Sequence, residues 1–106
     1  DRVFQRTYEM LLDLDDGARR EICKRLLERE AEGGETVVPA GRDRANLAAI
    51  LKEWKGASLT LSGEDAALDG GFLLVNEGYE KDCSFRSVLG ELRDGEETDV
   101  ATRLFG

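Results

Sequence analysis

Two adjacent glycines run straight into four consecutive apolar side chains at Gly70-Gly71-Phe72-Leu73-Leu74-Val75, and this stretch constrains the fold more than any other. A continuous apolar run of that length, bounded by turn residues, reads as the most buried strand of a sheet, with neighbours on both sides. The glycine pair suits a sharp entry turn or a close backbone approach. It does not extend into Gly-x-Gly-x-x-Gly or end in a P-loop Gly-Lys-Ser/Thr, so no phosphate cradle is signalled. Asn76, Glu77 and Gly78 form the next turn, with Gly78 free to take a positive φ, and Tyr79 to Cys83 return as the second arm of a hairpin. Glu80, Lys81 and Asp82 make that arm polar enough to lie at a sheet edge.

The remaining elements fall around this hairpin. Phe4, Tyr8, Leu11 and Leu12 share one stripe of a helix over about residues 2 to 14. Asp15 and Asp16 can cap a second helix carrying Ala18, Ile22, Cys23, Leu26 and Leu27, which Gly33 and Gly34 stop. Gly17 leaves open whether the two are one helix or a bent pair, because an interior glycine costs only about 1 kcal/mol. Thr36, Val37 and Val38 predict a short strand ended by Pro39. Asp43 caps a third helix with Leu47, Ile50, Leu51 and Trp54 on one face and Gly56 at its C-terminal end. Leu59 and Leu61 alternate with Ser58, Thr60 and Ser62 as a half-buried strand. Ser84 caps a fourth helix through Phe85, Val88, Leu89 and Leu92, which Gly95 weakens before Val100, Ala101, Leu104 and Phe105 resume an apolar face. The order predicts an α+β domain, a small mixed or antiparallel sheet of about four strands with helices packed against it.

A chain of 106 residues holds one ordinary core. With 41% hydrophobic and 36% charged residues it is too apolar for a disordered tail. The net charge of −8 and the lack of any long basic run disfavour nucleic acid and anionic lipid. No apolar run approaches the roughly 18 residues of a membrane span, so direct insertion is not expected. Cys23 and Cys83 form neither a zinc pattern nor a disulfide scaffold, which suits a reduced cytoplasmic setting. The chain opens on Asp1 rather than Met, directly into helical pattern, and so reads as a piece of something longer.

Chemistry is hard to assemble from these residues. Histidine is absent, which removes the commonest general base and metal ligand. Asp13, Asp15 and Asp16 resemble the start of a calcium loop, but Ala18 and Lys24 stand where such a loop needs glycine and glutamate. They read instead as a helix junction, and Glu28, Glu30 and Glu32 as a solvated face. Cys83 lies beside a helix N-terminus, a place that lowers thiol pKa values, yet free cysteines are usually buried apolar residues. Trp54 reads as core, with an exposed partner contact as the alternative. No catalytic, cofactor-binding or metal site is predicted.

The glycine pair and apolar strand, then Gly78-Tyr79-Glu80-Lys81-Asp82-Cys83-Ser84-Phe85, then the closing Val100-Ala101-Thr102-Arg103-Leu104-Phe105-Gly106 resemble, in order and spacing, the C-terminal region of the E subunit of V-type/A-type ATPases. Gly95 departs from that family's pattern, which carries good helix formers there. The resemblance implies a non-catalytic peripheral-stalk (stator) component, cytoplasmic and peripheral to the membrane, supporting ATP-coupled proton or sodium transport without a cofactor. Residues 1–32 would be the end of a long stalk helix with an adjoining helix, and 33–106 the head, folded as one domain with them. The implied partners are a stalk subunit of the G/H type, met by helix pairing, and the N-terminal barrel of the B subunit, met by the head. The interface residues expected on this basis are Phe4, Tyr8, Leu11, Leu12, Leu104 and Phe105, with Gly70, Gly71 and Gly78 as structural turn residues. Severed from its partner, the first helix can pair with its own copy into a homodimer. The alternatives are the stator of a flagellar type III export ATPase and a small enzyme using Cys83.

Overall fold

A computed structural model describes the backbone of residues 2–56 and 58–91 and the side chains of 5–56 and 58–90. Two helices, α1 (Arg2–Leu12) and α2 (Asp16–Glu30), lead into strand β1 (Glu35–Pro39). A single 3-10 turn, Gly41–Asp43, opens α3 (Arg44–Lys52); strands β2 (Leu59–Leu61), β3 (Gly71–Asn76) and β4 (Tyr79–Ser84) follow, and then α4 (Phe85–Glu91). The first two helices are separate: the Asp15 carboxylate accepts the Ala18 N–H at 2.8 Å and starts α2 anew, with Gly17 inside its first turn.

The sheet has the order β2-β1-β3-β4 and is mixed, so the α+β expectation holds. β1 and β2 run parallel, joined by α3 as a crossover, while β1–β3 and β3–β4 are antiparallel. β3 is central as expected, and the charged β4 lies at one edge. The run Phe72–Val75 is nevertheless not buried on both faces. Phe72 and Leu74 are buried, whereas Leu73 and Val75 are only half-buried, because the antiparallel register sends alternate side chains to opposite faces. Phe72 sits opposite Cys83, and Leu74 opposite Val37, so one face of the sheet collects the inward residues.

Against that face α2 presents Ile22, Cys23, Leu26 and Leu27, and α3 presents Leu47 and Ile50. Tyr8, Leu11, Phe85, Val88 and Leu89 complete one continuous buried cluster. Each fully buried Leu or Phe contributes about 1.5–3 kcal/mol through removal from water, which makes this cluster the main stabilising term.

The glycines at the entry to β3 satisfy a packing need. Gly71 has φ +94°, and a Cβ there would come within 2.5 Å of the Cys83 carbonyl oxygen and 2.8 Å of the Ser84 Cα. A Cβ on Gly70 would meet the Phe85 ring at 2.7 Å. Gly78 differs from expectation: it occupies the β3–β4 turn, but its φ is not positive and a Cβ there would meet open space. Substituting Gly71→Ala should therefore lower stability by about 2–4 kcal/mol in urea unfolding, whereas Gly78→Ala should stay within about 0.5 kcal/mol of the parent.

Candidate functional site

Two of the carboxylates that the fold supplies with partners, Asp43 and Glu35, lie inside it. Arg19 occupies the inward stripe of α2, three and four residues before Ile22 and Cys23, and Asp43 stands at the entry to α3; both are fully buried. Arg19 Nε and Nη2 donate to Asp43 Oδ1 and Oδ2 at 3.0 and 2.8 Å, the bidentate geometry that best offsets the desolvation of a buried pair. Nη1 donates to the Leu12 carbonyl at the end of α1 at 2.9 Å, and the Gly71 N–H donates to Asp43 Oδ2 at 2.8 Å. The guanidinium also lies 5.1 Å from the centre of the Phe85 ring. A Cβ on Gly70 would stand 3.0 Å from Arg19 Nη2, so the first glycine clears space for the cation. One ion pair thus joins α1, α2, α3, β3 and α4.

Asp43 is expected from its position to cap α3. It does stand at the N-cap position, but its side chain makes no capping bond, because both oxygens are taken by Arg19 and Gly71. Removing the carboxylate leaves a buried cation without its counter-charge and orphans the Gly71 N–H. Asp43→Ala should cost about 3–5 kcal/mol in chemical denaturation, and adding Arg19→Met to it should cost less than the two single changes summed.

A second buried carboxylate closes the other end of α2. Glu35, 1% exposed, accepts the Gly33 N–H at 2.6 Å, the Glu32 N–H at 3.0 Å and the Tyr79 hydroxyl at 2.9 Å. Burial pushes its pKa up, but these donors outweigh burial and hold it below the ordinary carboxylate value. Beside it Lys81 Nζ donates to the Glu30 carbonyl at 2.8 Å and pairs with Glu32, so β4 fastens the C-terminus of α2. Because the folded pKa of Glu35 is depressed, its contribution is full above the unfolded value of about 4.3 and is lost as pH falls through the folded value. The thermal midpoint of Glu35→Gln should thus lie well below the parent's at pH 7, and the gap should narrow only as the pH falls below the ordinary carboxylate value.

Of the side chains expected to meet a partner helix, Tyr8 and Leu11 are buried in this chain's own core, and Leu12 is half-buried against it. The Tyr8 hydroxyl donates to Asp69 at 2.9 Å, and the Arg86 guanidinium lies 4.8 Å from its ring centre, tying α1 to the β2–β3 connection and to α4. Burial first, and the Asp69 carboxylate next, raise the Tyr8 pKa. The Phe4 side chain, Leu104 and Phe105 lie outside the described residues.

The thiols are closed off. Cys83 is 3% exposed and faces Phe72 across the sheet, while Cys23 is fully buried and burial pushes its pKa far up. Ser84 acts as expected, its Oγ accepting the Ser87 N–H at 3.2 Å at the start of α4. Trp54 lies just beyond α3 and is half-buried against the core. Among the described residues no three His, Cys, Asp or Glu side chains are placed to hold a metal ion, and no helix is long and apolar enough to cross a membrane.

The ionised side chains described above hold helices to a sheet, which defines this chain as a stiffened α+β domain. No family model matches it. It is similar to the V-type proton ATPase E subunit of Thermoanaerobacter pseudethanolicus, with 29% identity over 97% of this chain and 56% of that protein. The A-type ATP synthase E subunit of Methanoregula boonei is 32% identical over 100% of this chain and 57% of its own length. The V-type proton ATPase E subunit of Clostridium botulinum is 29% identical over 76% of this chain and 45% of its own. The chain resembles the E subunit of V-type/A-type ATPases, as its closing motifs suggested, and spans about half the length of the curated relatives it matches.

Proposed function

We propose that the chain is the head region of an E subunit, a non-catalytic part of the peripheral stalk of a rotary V-type/A-type ATPase. The observation that carries this reading is the similarity to two E subunits across 97% and 100% of the chain. The fold suits it physically. A stator has to resist the torque that the rotor applies to the catalytic head, so it needs a stiff body and a helical arm fixed to it rather than a reactive pocket. The buried Arg19–Asp43 pair and the Tyr8–Asp69 bond hold α1 to the body of the domain. In this reading residues 1–32 are the end of the stalk arm with its adjoining helix and 33–106 the head. Phe4, Leu12, Leu104 and Phe105 belong to its partner contacts. The complex works on the cytoplasmic side of the membrane and couples ATP chemistry to proton or sodium movement, with the nucleotide handled by other subunits.

Co-expression with the G/H-type stalk subunit and the B subunit of the same source tests it. The expected result is a ternary complex that depends on the B-subunit N-terminal barrel, and no ATP turnover by the chain alone. Recovery of the chain with the stalk subunit present and no B subunit bound would overturn the reading.

A further inference from the structure

Between α2 and α3 runs an open groove of about 1190 Å³, with Gly17 and Gly56 among the residues that line it. Its floor is apolar: Ile50 is buried, and Ala31, Ala49 and Trp54 are half-buried. Its rim carries several basic side chains. Lys24, Lys52 and Lys55 are exposed there, and none of them has a hydrogen bond or ion pair among the described residues. Arg20 adds a fourth positive charge, held in place by Asn46 at 3.2 Å. Of the three acids in the lining, Glu21 is already paired with Arg25, leaving Glu28 and Glu53. The lining is therefore net positive on a chain whose net charge is −8.

Two packed helices present a furrow whose natural occupant is a third helix, set by ridges into grooves. The apolar floor supplies the surface to bury, and an aromatic ring flanked by lysines is the kind of central contact on which interfaces depend. Charge decides the occupant. An acidic segment is repelled by the molecule as a whole and attracted at this rim, so it is steered to the groove and kept from binding elsewhere. We infer that the α2–α3 groove docks an amphipathic helix of a partner protein, its apolar face against Trp54 and Ile50 and its acidic flanks against Lys24, Lys52 and Lys55. This surface lies on α2 and α3, not on α1, and the inference does not rest on the stalk reading.

Trp54 is the single tryptophan in the chain, so its fluorescence reports on the groove directly. The probe is a side-chain-stapled helical peptide of leucine and glutamate without tryptophan, and its control is the same peptide with lysine in place of glutamate. The acidic peptide should give a saturable blue shift and bind at least tenfold tighter than the lysine control, against the order that the overall charge alone dictates. Lys52→Glu/Lys55→Glu should weaken the acidic peptide at least tenfold, while Arg6→Glu on α1 should leave it unchanged. Equal or tighter binding of the lysine peptide overturns the inference, as does a Trp54 signal that does not respond to the acidic peptide. A Trp54 shift that follows protein concentration without peptide also overturns it, because a second copy of the chain then fills the groove. Both peptide arms are read on the parent protein, so the outcome stands even where a charge-reversed variant fails to fold.

Discussion

Burying an arginine and an aspartate with no exposed surface is worthwhile to a small domain only if every polar atom of the pair is used. Each ion loses several kcal/mol of hydration in such a site, and the bidentate contact alone does not recover all of it. Here the deficit is met by partners from elsewhere in the chain: the Leu12 carbonyl on one side, the Gly71 N–H on the other and the face of Phe85 above the guanidinium. Those partners come from separate elements, so the pair fixes their mutual positions as a condition of its own stability. The glycines belong to the same constraint. Gly70 leaves room for the cation, and Gly71 lets β3 start close enough to β4 for its N–H to point at Asp43.

The second buried acid works by the same logic with a different donor set. Glu35 recruits two backbone N–H groups from the loop after α2 and the Tyr79 hydroxyl from β4, so no arginine is needed to keep it ionised. The two carboxylates flank β1, Glu35 at its first residue and Asp43 four residues past its last. Together they pin the strand that carries both the parallel and the antiparallel pairing of the sheet.

Periodicity made most of the architecture legible. The glycine-bounded apolar run located β3, the polar return arm located the β4 edge, and the stripe Leu47, Ile50, Leu51 located α3. Where the reading fell short, side chains had roles that local pattern does not encode. Asp43 looked like a cap because position and residue type both fit, and only a distant arginine diverted it. Tyr8 and Leu11 looked available because an amphipathic stripe does not say whether its cover is the same chain or another. A signal for Arg19 did exist: it falls in phase with Ile22, Cys23, Leu26 and Leu27, and a charge on an apolar stripe calls for a buried partner. Glu35 was marked in the same way, since it shares the inward phase of β1 with Val37.

How α1 is fastened bears on any mechanical role. A helix held only by apolar contacts can roll on its neighbours at little cost, because such contacts are non-directional. α1 is held by two directional ties as well, the Tyr8–Asp69 hydrogen bond along its length and the Arg19 bond to its last carbonyl. A load carried along α1 is thereby delivered to a guanidinium that cannot move without leaving Asp43, and Asp43 cannot move without releasing Gly71 and the start of β3. Displacement of the helix must therefore break part-buried charge-assisted bonds instead of sliding over a greasy surface. The same ion pair that sets the fold in this way couples the end of α1 to the start of β3.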